Sequence, residues 1–303
     1  MGAMAQVFSV DKVVDSPVLN RIGVQPFRAV VARTMAHAHR PLTDPLAREL
    51  QERGIVVVHD FLPPDDFARS VDEADAFVQG NVPRWLHTEG TTTVRQFHLA
   101  GVDADRYPAL HAWTRNERVL GTASAIEHRP FTREGVGGPL IEDIVVGDNS
   151  MPDPQTRLHV DTFHSTHKAW LFLTDVEMED GPLKYVPGSH RMDSTRLRAD
   201  YRHSVGDWFC EQDSRRVPPD EITRRGLGLV ALTCPANTLV IADTCGYHGR
   251  TEGAPGHHRR ALHFSFRVNP FVYRMPQARA TLKRVRDAVR PSGAGPTGAG
   301  IRS

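Results

Sequence analysis

Arg157-Leu158-His159-Val160-Asp161-Thr162 is the stretch on which the reading of this chain turns. Taken as a β-strand, it points alternate side chains to opposite faces, so His159 and Asp161 project together, an imidazole beside a carboxylate. Ferrous iron accepts such a pair when a second histidine completes a facial triad, and one face of the ion then stays open. The candidate for that histidine is His248, in Asp243-Thr244-Cys245-Gly246-Tyr247-His248-Gly249-Arg250, with Arg259 further downstream. A lone His-x-Asp is a weak signal, because chance places such a pair on many surface strands. The order His-x-Asp, His, Arg is what gives it weight.

Outward from this stretch, short apolar or alternating runs recur between turn signals: Leu140 to Val146, Gln155 to Asp161, Ala169 to Leu173, Leu183 to Val186, Leu229 to Leu232, Thr238 to Ile241 and Ala261 to Val268. That spacing predicts an antiparallel sandwich or barrel. Helical or irregular sequence from Ser194 to about Arg225 interrupts it. Upstream, Asp44 as N-cap and Pro45 at the first helical position open a helix that Gly54 ends. Ile55 to Val58 is a β-branched strand, and Pro63-Pro64-Asp65-Asp66 opens a second helix whose apolar stripe runs through Phe67, Val71, Ala74 and Val78. A further helical region spans about Tyr107 to Ile126. The fold class expected is mainly β with α: a double-stranded β-helix (a cupin-like jelly roll) under an N-terminal helical layer. One domain is expected over 41–275, with an N-terminal extension over 1–40 and a C-terminal helix and Gly/Pro-rich disordered tail over 276–303.

Composition narrows the function classes. The chain has 303 residues, 40% hydrophobic and 24% charged, as in a globular protein. A formal net charge of +1 gives no field for nucleic acid or an anionic membrane, so neither is expected as a partner. The basic stretch Arg279 to Arg290 reads as a solvated helix face. Only Lys12, Lys168, Lys184 and Lys283 are lysine; arginine supplies the other cations. Cys210, Cys234 and Cys245 show neither C-x-x-C spacing nor an even count, which argues against a disulfide framework and for a reducing, cytoplasmic setting. No basic segment followed by an apolar run opens the chain, and no apolar run approaches the roughly 20 residues of a membrane span.

The combination of His159, Asp161 and His248 with Asp180-Gly181-Pro182-Leu183-Lys184-Tyr185-Val186-Pro187-Gly188-Ser189-His190 and the distal Arg259 resembles the phytanoyl-CoA dioxygenase family, within the iron(II)/2-oxoglutarate dioxygenases. The resemblance is densest over Gln155 to His190 and Asn237 to Phe266. It implies that His159, Asp161 and His248 ligate Fe(II), that Arg259 binds the distal carboxylate of 2-oxoglutarate, and that Trp170 lines the co-substrate pocket. The chemistry agrees: neutral imidazoles and one carboxylate hold Fe(II) without saturating it, and a guanidinium fork matches a carboxylate bidentately where a lysine is only a point charge. Arg260, on the opposite face of the same strand, is the competitor for the role given to Arg259.

One departure stands out. Two residues past the distal histidine, relatives often carry a small hydroxyl residue near the co-substrate carboxylate; here it is Arg250, which either holds an anionic substrate or replaces that contact. Arg157, Phe163 and His164 are the other candidates for the substrate side, each with a plain structural reading beside it: a salt bridge, core packing and a satisfied histidine. The turn Pro187-Gly188-Ser189-His190 reads as a device that fixes the sheet. Related halogenases replace the carboxylate by a small residue, so Asp161 implies oxygenation. The function expected is oxidation of an unactivated C–H bond of a small organic substrate, hydroxylation in the simplest case, with Fe(II), 2-oxoglutarate and O2, and by analogy in bacterial natural-product tailoring. A zinc-type hydrolase on the same triad and a non-catalytic jelly-roll binding protein are the competing readings; the first leaves Arg259 and the turn motif unexplained, and the second leaves the intact triad without a purpose.

Overall fold

A computed structural model describes residues 17–36, 42–126, 137–205 and 215–266. The expected C-terminal helix and tail lie outside the described residues. In chain order the helices are α1 (Pro17–Arg21), α2 (Val24–Ala36), α3 (Pro45–Arg53), α4 (Pro64–Gly80), α5 (Pro108–Trp113), α6 (Glu117–Ile126), α7 (Ser194–Ser204) and α8 (Glu221–Arg224). The strands are β1 (Ile55–Val58), β2 (Trp85–Glu89), β3 (Thr92–His98), β4 (Gly137–Val145), β5 (His159–Val160), β6 (His167–Phe172), β7 (Leu183–Tyr185), β8 (Arg215–Arg216), β9 (Val230–Ala231), β10 (Thr238–Asp243), β11 (His248–Arg250) and β12 (His258–Phe266). They form two antiparallel sheets, ordered β1-β10-β6-β12-β4-β3-β2 and β8-β5-β11-β7-β9. This is the expected jelly roll. No helix among the described residues is long and apolar enough to cross a membrane.

Strand alternation sorts each strand of the large sheet into two faces. On β12, Leu262, Phe264 and Phe266 turn outward and bury against Leu50 of α3, Ala74 of α4, Leu110 and Trp113 of α5, and Val119 and Ala123 of α6. Each such apolar side chain contributes roughly 1.5–3 kcal/mol by leaving water. The alternate residues of the large sheet face the small sheet. There Trp170, Phe172, Val240 and Ala261 meet Leu183 and Tyr185 in a second core. Toward one end, that inner face changes from apolar to charged, with Glu142, Lys168 and Arg259 near one another.

The helix signals act as written. The Asp44 carboxylate accepts from the Leu46 N–H at 3.1 Å, and Gly54 closes α3 at φ 79°, its N–H donating to the Leu50 carbonyl. The region expected as one helical stretch over Tyr107–Ile126 is two helices, because the Asn116 side chain accepts from the Val119 N–H and starts a new one. The stretch Gln155 to Asp161 contains a single turn of 3-10 helix over Pro154–Thr156 and only the two-residue β5. The β2–β3 hairpin carries polar residues on both faces, among them His87, Glu89, Arg95 and Gln96, so it has no apolar alternation to betray it. β8 and β11 are too short to show any period.

The turn at Pro187-Gly188-Ser189-His190 ties helical layer and small sheet together. Gly188 N–H donates to the Arg53 carbonyl, and the Ser189 hydroxyl accepts from the Tyr247 N–H at 2.7 Å, one residue before His248. A side chain on Gly54 would collide with His190 and with the Tyr185 hydroxyl, whereas one on Gly101, at φ 77°, would meet nothing within 4 Å. Gly54→Ala is therefore expected to destabilise the protein by about 2–5 kcal/mol, combining left-handed strain with overpacking. Gly101→Ala carries the strain alone, about 1 kcal/mol. Urea unfolding of the two variants separates the contributions; equal midpoints would show that the contact with the turn is soft.

Candidate metal centre

The triad is built by the small sheet. β5 and β11 run antiparallel with His159 directly opposite His248, and the two rings sit 4.5 Å apart between centroids. Asp161 follows β5; its backbone N–H donates to the Thr244 carbonyl at 3.0 Å, which returns the chain toward the loop before β11. One nitrogen from each histidine and one carboxylate oxygen lie within 4.8 Å of one another. Both histidines are 5% exposed.

The ring nitrogens are already assigned by the backbone. Nδ1 of His159 is 2.9 Å from the Arg157 carbonyl, and Nδ1 of His248 is 2.9 Å from the Gly246 carbonyl. A carbonyl only accepts, so both Nδ1 atoms carry the proton and both Nε2 atoms present a lone pair to the centre of the triad. This is the arrangement that orients imidazoles for a metal, so the residues present fit a divalent cation. Burial, with His248 next, pushes the His159 imidazole down to about 3. It is neutral, and so able to ligate, throughout the physiological range. Burial alone would raise the Asp161 carboxyl; the Lys168 ammonium, then His248 and His159, hold it well below the usual carboxylate range instead.

Beyond the triad, the two arginines of β12 lie on opposite faces of the strand. Arg260 points outward, paired with Asp75 of α4 and with Asp143, whose Oδ1 is 3.5 Å away. Arg259 points inward, 7% exposed, and its buried Nε has no hydrogen-bond partner. Burial pushes its guanidinium down to about 10 despite Glu142 nearby. A desolvated cation with an unused donor is a receptor for an anion.

A phytanoyl-CoA dioxygenase family model matches residues 50–225, more than half of the chain. The chain belongs to the phytanoyl-CoA dioxygenase family. It is accordingly an Fe(II)- and 2-oxoglutarate-dependent oxidoreductase that uses O2. Among solved structures, the non-heme α-ketoglutarate-dependent epimerase SnoN from nogalamycin biosynthesis is similar at 17% identity over 85% of this chain and 94% of that one, with a TM-score of 0.52. EctD from S. alaskensis, solved with 2-oxoglutarate and 5-hydroxyectoine, is 15% identical over 77% and 78%, with a TM-score of 0.51. At such identities the likeness is one of fold. No curated protein matches the chain by sequence.

The remaining sequence candidates of this family member divide. Trp170 lies on the inner face of β6, its indole N–H donating to Glu142 at 3.2 Å. Arg250 is buried and committed: Nε donates to Asp153 at 2.6 Å and Nη2 to Glu89 at 2.5 Å. Phe163 packs on Ala32 of α2 beneath the Arg28 guanidinium, 3.7 Å from the ring centroid. His164 turns Nδ1 to the Ser165 carbonyl, and Arg157 is exposed ahead of β5, contributing its carbonyl to His159. Two residues went unnoticed in the sequence. Glu142 accepts from Gln96 and Trp170 and stands near Arg259, His263 and Lys168. Lys168 pairs with Asp161 at 2.8 Å. The signal for Lys168 was present: it is two residues before Trp170 on a strand, hence on the same face.

The His159 shift has a pH consequence in the metal-free protein. Its folded value lies below the unfolded one of about 6.5, so the unfolded chain takes up the proton first and stability falls as pH drops below 6.5. From about pH 7.5 to about pH 5 this histidine should remove about 2 kcal/mol. The wild type should lose that much more than His159→Gln in urea unfolding at the two pH values. Parallel losses would mean that His159 is protonated in the folded state.

Proposed function

We propose that His159, Asp161 and His248 are the protein ligands of the iron, that Arg259 holds the distal carboxylate of 2-oxoglutarate, and that the enzyme hydroxylates an unactivated C–H bond of a small organic molecule. The setting proposed is natural-product tailoring, the setting of SnoN. The observation that carries the reading is the pairing of two Nδ1-protonated histidines with a carboxylate at one end of the space between the sheets, while the inward Arg259 keeps an unused donor.

Iron with 2-oxoglutarate supplies the oxidising chemistry when bound. The chain's own residues do the rest. The carbonyls of Arg157 and Gly246 hold the imidazole rings in register. Trp170, its indole held by Glu142 on the inner face of β6, would wall the co-substrate pocket. Arg250 keeps Glu89 and Asp153 neutralised, so that their charge does not oppose a dianionic co-substrate.

His159→Ala, Asp161→Ala and His248→Ala should each abolish 2-oxoglutarate turnover, measured as succinate formed. A variant that retains wild-type turnover removes its residue from the ligand set. Arg259→Ala should leave metal binding intact and weaken 2-oxoglutarate by about 3–5 kcal/mol, the magnitude seen when one partner of a buried ion pair is removed. Arg260→Ala should change it far less. Titration of 2-oxoglutarate into the anaerobic Fe(II) protein, followed by the visible charge-transfer band, compares them; a larger loss in Arg260→Ala would reverse the assignment.

A further inference from the structure

We propose that Lys168 is a positioning residue of the metal centre, holding one oxygen of Asp161 so that the carboxylate presents only the other to the ion. The proposal rests on the ligand set given above. Its ground is a division of labour within one carboxylate. Oδ2 of Asp161 lies 2.8 Å from the Lys168 ammonium, while Oδ1 lies 3.5 Å from Nε2 of His248. Each oxygen faces a different group, and the ammonium fixes the rotation that keeps them apart.

The fold explains why a lysine can do this. Lys168 stands on β6 in the large sheet and Asp161 follows β5 in the small one, so the contact spans the two sheets at the end where the triad lies. Its strand neighbours on the same face are Ala242 and Ser265. Both are short, which leaves the four-carbon stem free to cross the gap. An arginine-rich chain keeps very few lysines, and one of them is here. A compact, three-donor ammonium on a flexible stem suits a single oxygen, whereas a guanidinium fork favours both oxygens of a carboxylate at once.

The arrangement matters because carboxylates bind metals through one oxygen or through both. An aspartate free to chelate would take a second coordination position and leave one fewer for exogenous ligands. By engaging Oδ2, Lys168 keeps Asp161 to one position. It also balances a carboxylate whose side chain is only 7% exposed. Residues that hold ligands in this way commonly change metal affinity by about 10–100-fold when removed.

The test uses the full chain and Co(II) as a spectroscopic probe, without turnover. Lys168→Met keeps most of the stem and removes the charge; Lys168→Gln removes the charge with a shorter, polar side chain, should Met disturb folding. Urea midpoints identify which variant is folded. The expected result is a Co(II) affinity about 10–100-fold below wild type and an altered visible d–d spectrum, as the carboxylate changes its mode of binding. A folded Met or Gln variant with wild-type affinity and spectrum overturns the proposal, as does an affinity loss with an unaltered spectrum, which would make Lys168 a packing residue. Wild-type protein that binds no Co(II), or binding that survives His159→Ala and His248→Ala, overturns the ligand set itself and the Lys168 role with it.

Discussion

The antiparallel pairing of β5 with β11 is the constraint on which the site depends. It is a very short ladder, and it sets His159 directly opposite His248. Two residues on strands separated by a long stretch of chain become neighbours because their backbones are paired, and their rings are then aimed by carbonyls two residues upstream of each. So short a ladder cannot hold itself. Tyr185 on the other side of β11 anchors it by a hydroxyl bond to the Asp243 carbonyl, and the Ser189 hydroxyl takes the Tyr247 N–H. The triad is thus fixed by loops and turns that add no residue to it.

Around this pairing, the jelly roll keeps two different interiors. One lies between the large sheet and the helices; it is an apolar cluster, with the buried Asp143 paired by Arg95 and Arg260 on the same face of the sheet. The other lies between the sheets and grades from apolar residues into a charged end with Glu142, Lys168, Arg250 and Arg259. Charges at these depths are tolerated only when paired or when awaiting a partner. Most are paired within the chain. What separates Arg259 from Arg260, on neighbouring positions of the same strand, is the face: Arg260 turns outward to the carboxylates of Asp75 and Asp143, and Arg259 turns inward.

Much of this architecture is legible in the residues themselves. The helix caps at Asp44 and Gly54, the stripe Phe67, Val71, Ala74 and Val78, and the strands at β1, β4, β6, β7, β10 and β12 follow from local chemistry, and the order His-x-Asp, His, Arg points to the site. What escapes is physical in origin. β11 is three residues long and has no period, yet it carries His248. The β2–β3 hairpin is polar on both faces because its inner face lines a charged space rather than a core. Lys168 and Glu142 look like ordinary strand polars until the partner sheet is in place, since their meaning lies in contacts across the gap. Phe163 sits under α2, a packing relation with no local signature.

Arg250 carries an implication for how this chain can change. It links Glu89 of the β2 edge strand with Asp153 before β5. Shortening that side chain alone would strand two carboxylates in a nearly dry environment, and neutralising either acid alone would leave the guanidinium half satisfied. The three positions are therefore interdependent. A lineage can exchange this charged clamp for a smaller residue only by passing through intermediates that are less stable than either end, or by altering all three sites together, so the trio forms a barrier to gradual drift.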